Sequence, residues 1–328
     1  MTLDELVTKL AGRRFLVIGR VGMDLSPDPP GTATVDATHM VVGMGGSSAN
    51  IAAGLVKLGC EASLVTRVSD DAIGRYCVAQ LEAYGVGHEH VRPVGGEHRN
   101  SIAIYESRVE DHQTVIYRNG AADFAMDESD IETVDWDRYD AVVTAGTVFA
   151  AEPSRSASFL AFERARSAGL PVIFDIDYRP YSWPTAQVAE EVLSRAGAMA
   201  DVIVGNDEEF GFMAGHVDRG LAKAEGLAKE GAAVVVYKMG PQGAITFAGG
   251  ERLETGIYPV EALKPTGAGD SFMAGLLAGL AEGRPLRESV LRGSACASIV
   301  VAKPGCAPAM PVTQALDAFL QDREPTGG

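Results

Sequence analysis

Short apolar runs rich in β-branched residues alternate with amphipathic stretches over most of this chain. Leu3, Leu6, Val7 and Leu10 recur at helical spacing and predict a short amphipathic helix. A first strand, FLVIG from Phe15, runs into RVGMDL, and an extended Pro- and Thr-rich stretch follows over 26–42. GMGGSSAN then opens a helix reaching about Leu58, with Gly59 as its stop. Strand ASLVTRVS and helix IGRYCVAQLEAYG continue the rhythm. It breaks over about 92–118, where SIAIYES and QTVIYR alternate with period two, as in a half-exposed hairpin. Strand AVVTAG, a helix over 154–168, PVIFDID, a helix over 185–196, DVIVGN, a helix over 218–230 and AAVVVYKMG restore it. Two short strands, AITFAG and ERLETGIYPV, precede a helical C-terminal third.

Such β-branched runs between helices require a parallel sheet covered on both faces. The expected architecture is therefore a doubly wound α/β domain spanning 1–328, its mostly parallel sheet flanked by helices. The segments 24–42 and 92–118 would pair into a small β-sheet lid, the kind of element that covers a ligand and excludes water.

Composition narrows the function. Of 328 residues, 46% are hydrophobic, enough for a large core, and the formal charge is −16. That acidity argues against nucleic acid and anionic membrane as main partners, because both are polyanions. Cys60, Cys77, Cys296 and Cys306 lack CxxC spacing, and the two that lie within apolar helical patterns are expected as buried free thiols. Without a leader-like N-terminus or a long apolar run, a cytoplasmic location is expected.

The segment from Lys264, KPTGAGDSFMAGLLAGL, carries the strongest chemistry. A glycine-rich turn feeds directly into a helix, whose free N-terminal amides and dipole favour an anion. Gly267 and Gly269 let backbone approach phosphate oxygens. Asp270 in the first turn is expected to stay ionised and to accept a proton from a hydroxyl, beside amides that stabilise transferring charge.

GAGD opening a Gly/Ala-rich helix resembles the second signature of the ribokinase (PfkB) family of carbohydrate kinases. GMGGSSANIAAGLVKLG, with SDDAIG after it, resembles the first. Asp24, the run Asn206-Asp-Glu-Glu209 and the run Lys238-Met-Gly-Pro-Gln-Gly243 fall in matching order, so the resemblance spans about residues 14–311. It implies a ribokinase-like fold, ATP and Mg²⁺ as cofactors, Asp270 as base, and the amides of Gly267, Ala268 and Gly269 as anion hole. It places Asp24, Gly45, Gly46 and Asn50 against sugar hydroxyls. Asn206, Lys238, Gly240 and Gly243 would line the nucleotide, with Glu209 holding Mg²⁺ through water. For Ser47 and Ser48, helix capping is the preferred role. Lys264 and Pro265 stand where many members carry an acidic residue and a threonine, which argues against K⁺ as a cofactor here. The lid would also serve as a homodimer contact.

Fold does not name the acceptor. Arg20, Arg118 and Arg179 sit at strand ends, and in so acidic a protein they suggest recognition of an anionic group. Arg118 and Arg179 are expected near a substrate carboxylate or the phosphates, with Arg20 a weaker candidate. Within the family, FDIDYRPYSW and LKPTGAGD resemble members that phosphorylate the terminal 6-hydroxyl of a sugar acid of inositol breakdown. Alternative acceptors are 2-keto-3-deoxygluconate and fructose. A dinucleotide-dependent oxidoreductase is disfavoured, since GxGxxG does not follow the first strand.

Overall fold

The structure, a computed structural model, describes residues 1–108 and 111–327. The chain opens with α1 (Leu3–Leu10), closed at its start by a Thr2/Glu5 capping box, and enters β1 (Arg14–Ile18). Next come β2 (Gly22–Pro27), β3 (Met40–Gly45), α2 (Ser47–Lys57), β4 (Glu61–Ser69), α3 (Ala72–Ala83) and β5 (Gly87–Val94). A hairpin of β6 (Ile102–Tyr105) and β7 (Thr114–Tyr117) leads to α4 (Glu128–Glu132). The middle of the chain is β8 (Ala141–Ala145), α5 (Ser154–Ser167), β9 (Val172–Asp175), α6 (Ala186–Met199) and β10 (Val202–Asn206). It continues through α7 (Asp207–Met213), α8 (Gly220–Lys229), β11 (Val234–Lys238), β12 (Ala244–Ala248) and β13 (Glu251–Thr255). The last helices are α9 (Ala268–Ala281), α10 (Leu286–Val301) and α11 (Thr313–Gln321).

Nine strands form one sheet in the order β13-β12-β11-β10-β9-β8-β1-β4-β5, parallel except where β12 joins β11 and β13. Alternation along β1 explains why both faces are dry: Phe15 and Val17 enter one core with α2, α9 and α10, while Leu16 and Ile18 enter the other with α5 and α6. Four phenylalanines (Phe149, Phe159, Phe162 and Phe174) meet edge to face in the second core. All four cysteines are buried and free.

A second sheet, β3-β2-β6-β7, stands apart from the first. It joins the early extended segment to the hairpin through the parallel pair β2·β6. The boundary expected at 92 is corrected: residues 92–94 belong to β5 and pair with β4 in the main sheet. The segment 87–94 alternates too weakly to read as a strand, and it is the last, most exposed strand on its edge. Residues 109 and 110 of the expected lid lie outside the described residues.

Candidate active site

The helix start at α9 leaves its first backbone amides free. Gly267 adopts φ +84, and a Cβ there would lie 3.0 Å from Cys306 Sγ. The amides of Gly267, Gly269 and Asp270 make no hydrogen bond among the described residues, and that of Ala268 reaches Pro265 O only at 3.5 Å. Free amides at a helix start, aligned with its dipole, are what a phosphate needs.

Asp270, in the first turn of α9, is half-buried. Its Oδ2 accepts from Asn50 Nδ2 at 2.8 Å, so the first signature holds the carboxylate of the second. Burial and the nearby Asp177 push its pKa up to about 6, against the pull of Asn50, Arg179 and Arg20. The helix dipole favours the ionised form and desolvation opposes it, which leaves a stronger base that is still mainly ionised at neutral pH.

Glycines bring the residues expected against sugar hydroxyls together. A Cβ on Gly45 would sit 1.8 Å from Asp24 Oδ1, so the carboxyl lies directly on the glycine. Gly46 has φ +99 and passes within a Cβ distance of 2.4 Å of Arg20 O. Gly46 is also the N-cap of α2, which corrects the capping role expected for Ser47 and Ser48. Both serines lie inside the helix, and Ser48 Oγ donates to Ile18 O instead. Asp24 is buried, which pushes its pKa up to about 6. Asn50 Oδ1 is buried with no partner.

Of the residues expected to line the nucleotide and metal, Asn206 and Glu209 form a capping box at the start of α7. Glu209 accepts from Asn206 N at 2.8 Å and Tyr178 N at 3.2 Å. With both oxygens held by backbone, it suits contact with a metal through water rather than direct ligation, and no cluster of three metal-ligating side chains exists among the described residues. Lys238 pairs in register with Asn206 and its Nζ lies 3.5 Å from where a Gly269 Cβ would be, beside the free amides. Gly240 and Gly243 shape the turn after β11 with φ +55 and +88.

Three arginines converge here, but they differ. Arg118 donates to Asp123 at 2.6 Å and to Thr147 O at 3.1 Å, while its Nε and Nη1 are buried without partners. Burial lowers its pKa to about 10. Arg179 pairs with Asp177 at 2.7 Å and approaches Glu209 at 4.0 Å. Arg20 is 8% exposed, donates to Ser101 Oγ at 3.2 Å, has a free Nε and forms no ion pair among the described residues. The residue ranked weakest from sequence is thus the one with no carboxylate at ion-pair distance among the described residues, although Asp24, Asp177 and Asp270 all feel its charge.

Sequence reasoning missed Asp175 and Asp177 as site residues. They flank Ile176: Asp175 is the last residue of β9, and Asp177, two residues on, takes φ +36. Burial, with Asp177, Glu209 and Asp270 nearby, raises the pKa of Asp175 against the pull of Lys238. Burial also works on Asp177, but Arg179, Ser47, Arg20 and Arg118 outweigh it and hold that carboxyl low. The D-x-D at the end of a core strand was the available signal.

Residues 13–313 match the model of the pfkB family carbohydrate kinases. The chain belongs to this family. Its relatives include a 5-dehydro-2-deoxygluconokinase of Photobacterium profundum, 34% identical over 94% of this chain and 95% of that protein. Another, from Geobacillus thermodenitrificans, carries the same name at 35% identity over 94% and 93%. Among solved structures, a fructokinase double mutant from Vibrio cholerae O395, bound to fructose, ADP and potassium ion, superposes with TM-score 0.83 at 25% identity, covering 94% of this chain and 99% of that one. The PfkB assignment agrees with the doubly wound sheet, the separate small sheet and the order of both signatures. No helix among the described residues is long and apolar enough to cross a membrane.

Proposed function

We propose that the chain transfers the γ-phosphoryl group of ATP to the 6-hydroxyl of 5-dehydro-2-deoxy-D-gluconate, with Asp270 as general base. The observation that carries the chemistry is the oriented Asp270 carboxylate beside unbonded amides of Gly267 and Gly269. The acceptor is supported by curated relatives of that name at 31–35% identity across 94% of the chain. Arg20, a buried guanidinium with an unpartnered Nε and no ion pair among the described residues, supports an acidic substrate.

In this reading Asp24 and Asn50 Oδ1 accept hydrogen bonds from sugar hydroxyls, with Gly45 and Gly46 allowing the sugar to lie on backbone. Arg20 takes the substrate carboxylate, and the free Nη1 of Arg118 assists. Asp270 removes the proton of the 6-hydroxyl as its oxygen attacks the γ-phosphorus, and the bond to the β,γ-bridging oxygen breaks to give ADP. The amides of Gly267, Ala268 and Gly269 receive the charge on the transferring group, and Lys238 adds a cation beside them. Asn206, Gly240 and Gly243 border the nucleotide. Mg²⁺, reached from Glu209 through water, would neutralise phosphate charge. Asp270 afterwards releases its proton to solvent.

The small sheet serves as a lid over the sugar. Val41, Val42, Val115 and Tyr117 on it are about half exposed or more, and a second copy packed there, giving a homodimer, would cover them. A cytoplasmic location suits an ATP-dependent metabolic kinase.

A coupled ADP-release assay with Mg²⁺-ATP tests the acceptor against 5-dehydro-2-deoxygluconate, 2-keto-3-deoxygluconate, fructose, ribose and adenosine. The highest kcat/KM is expected for the first. Preference for 2-keto-3-deoxygluconate or fructose would replace the acceptor and leave the kinase chemistry intact.

A further inference from the structure

Lys264 is fully buried, at 0% exposure, and forms no ion pair among the described residues. Its ammonium is held by carbonyls: Nζ donates to Thr266 O at 2.6 Å and to Val300 O at 3.3 Å. A buried charge without a carboxylate partner costs stability, and a chain selecting for stability alone would place an apolar side chain here. The position says what the charge is for. Val300 is in the last turn of α10, whose carbonyl end is the negative pole of the helix. Thr266 immediately precedes the anion-hole turn. In a trans peptide the C=O and the following N–H point in opposite directions. Drawing the Thr266 carbonyl toward Nζ therefore turns the Gly267 N–H away from Nζ, and that amide is one of those left unbonded.

We propose that the Lys264 ammonium is a resident cation that orients the anion-hole turn, so that the chain needs no free monovalent ion for this purpose. Lys264 is a positioning residue: it acts on the phosphate only through the Thr266–Gly267 peptide. Burial lowers its pKa, while Cys306, Asp24 and Asp270 favour the charged form. The inference rests on the anion-hole reading of this turn, and not on which sugar is phosphorylated.

The test has two readouts, only one of which needs an acceptor. Binding of the ATP analogue AMP-PNP with Mg²⁺, followed by calorimetry, is compared in KCl and in choline chloride at equal ionic strength. So is turnover with the best acceptor of the panel. Wild-type affinity and turnover are expected to be the same in both salts. Lys264→Ala opens a space lined by the two carbonyls. In choline its kcat should fall about 10²-fold with a smaller change in the sugar KM, and its AMP-PNP affinity about tenfold. Added ethylammonium or K⁺ should restore much of both. Wild-type binding or turnover that depends on K⁺ overturns the proposal whether or not the variant folds, as does a folded Lys264→Ala with normal kcat and affinity. Loss of kcat with no rescue by any cation would also overturn it, reducing Lys264 to a packing role. A silent acceptor panel would count against the sugar assignment alone, since the AMP-PNP comparison still decides this one.

Discussion

Asn50 on α2 and Asp270 on α9 are 220 residues apart in sequence, yet their side chains meet in a 2.8 Å hydrogen bond. That contact locks the first signature to the second. It also stabilises the ionised form of Asp270 against burial. Asn50→Ala should therefore raise the Asp270 pKa further, and the acid limb of the kcat–pH profile should move to higher pH. At about pH 7 the variant should turn over roughly tenfold more slowly. An unmoved limb would mean that Asn50 does not tune the base.

For the wild type, kcat/KM should decline as the pH falls through about 6, the value to which burial brings both Asp270 and Asp24. Below it Asp270 is protonated and cannot accept the hydroxyl proton. Asp24→Asn should leave an acid limb from Asp270 alone in kcat at saturating sugar, a profile that separates the two groups.

The same shifts have a stability consequence of opposite sense. A carboxyl whose folded pKa lies above its unfolded one binds more protons in the folded state, so stability falls as pH rises between about 4 and about 6. Removing the charge should relieve that cost. Asp270→Asn should melt at a higher temperature than wild type at neutral pH, with the gap closing toward pH about 4. Calorimetric scans across that range check the sign.

The sheet and the two signatures were legible because local pattern dictates them. Paired apolar alternation in β1 and glycines before α2 and α9 admit few other structures. The strand β5 was not, since its half-exposed residues carry little periodic signal at a sheet edge. The caps at Ser47 and Ser48 failed for a related reason: Gly46 at φ +99 already starts the helix, and no local pattern reveals a carbonyl such as that of Ile18 waiting from another strand. Charges were hardest. Arg20, Arg118 and Arg179 look alike in sequence, and only tertiary contacts show that Asp123 and Asp177 occupy two of them. Asp175 and Asp177 were hidden because a carboxylate at a strand end acquires its meaning from neighbours far away in the chain.

The difference among the arginines is itself testable. Arg20→Gln should raise KM for 5-dehydro-2-deoxygluconate by about tenfold to a hundredfold, as loss of a charge-assisted contact implies, and leave KM for fructose nearly unchanged. Equal effects on both acceptors would remove Arg20 from carboxylate recognition.

Gly45→Ala places a methyl group 1.8 Å from Asp24 Oδ1, so the carboxyl must move. Sugar affinity should drop while AMP-PNP affinity holds, because the proposed nucleotide residues Lys238, Gly240 and Gly243 lie on other elements. Titration of the variant with each ligand checks the split.

The most direct test of Asp270 as the base is the kcat of Asp270→Asn with 5-dehydro-2-deoxygluconate, measured beside its AMP-PNP affinity. A fall in kcat of about 10²-fold or more, with nucleotide affinity preserved, is the expected result. Turnover close to that of the wild type would contradict it and take Asp270 out of the chemistry.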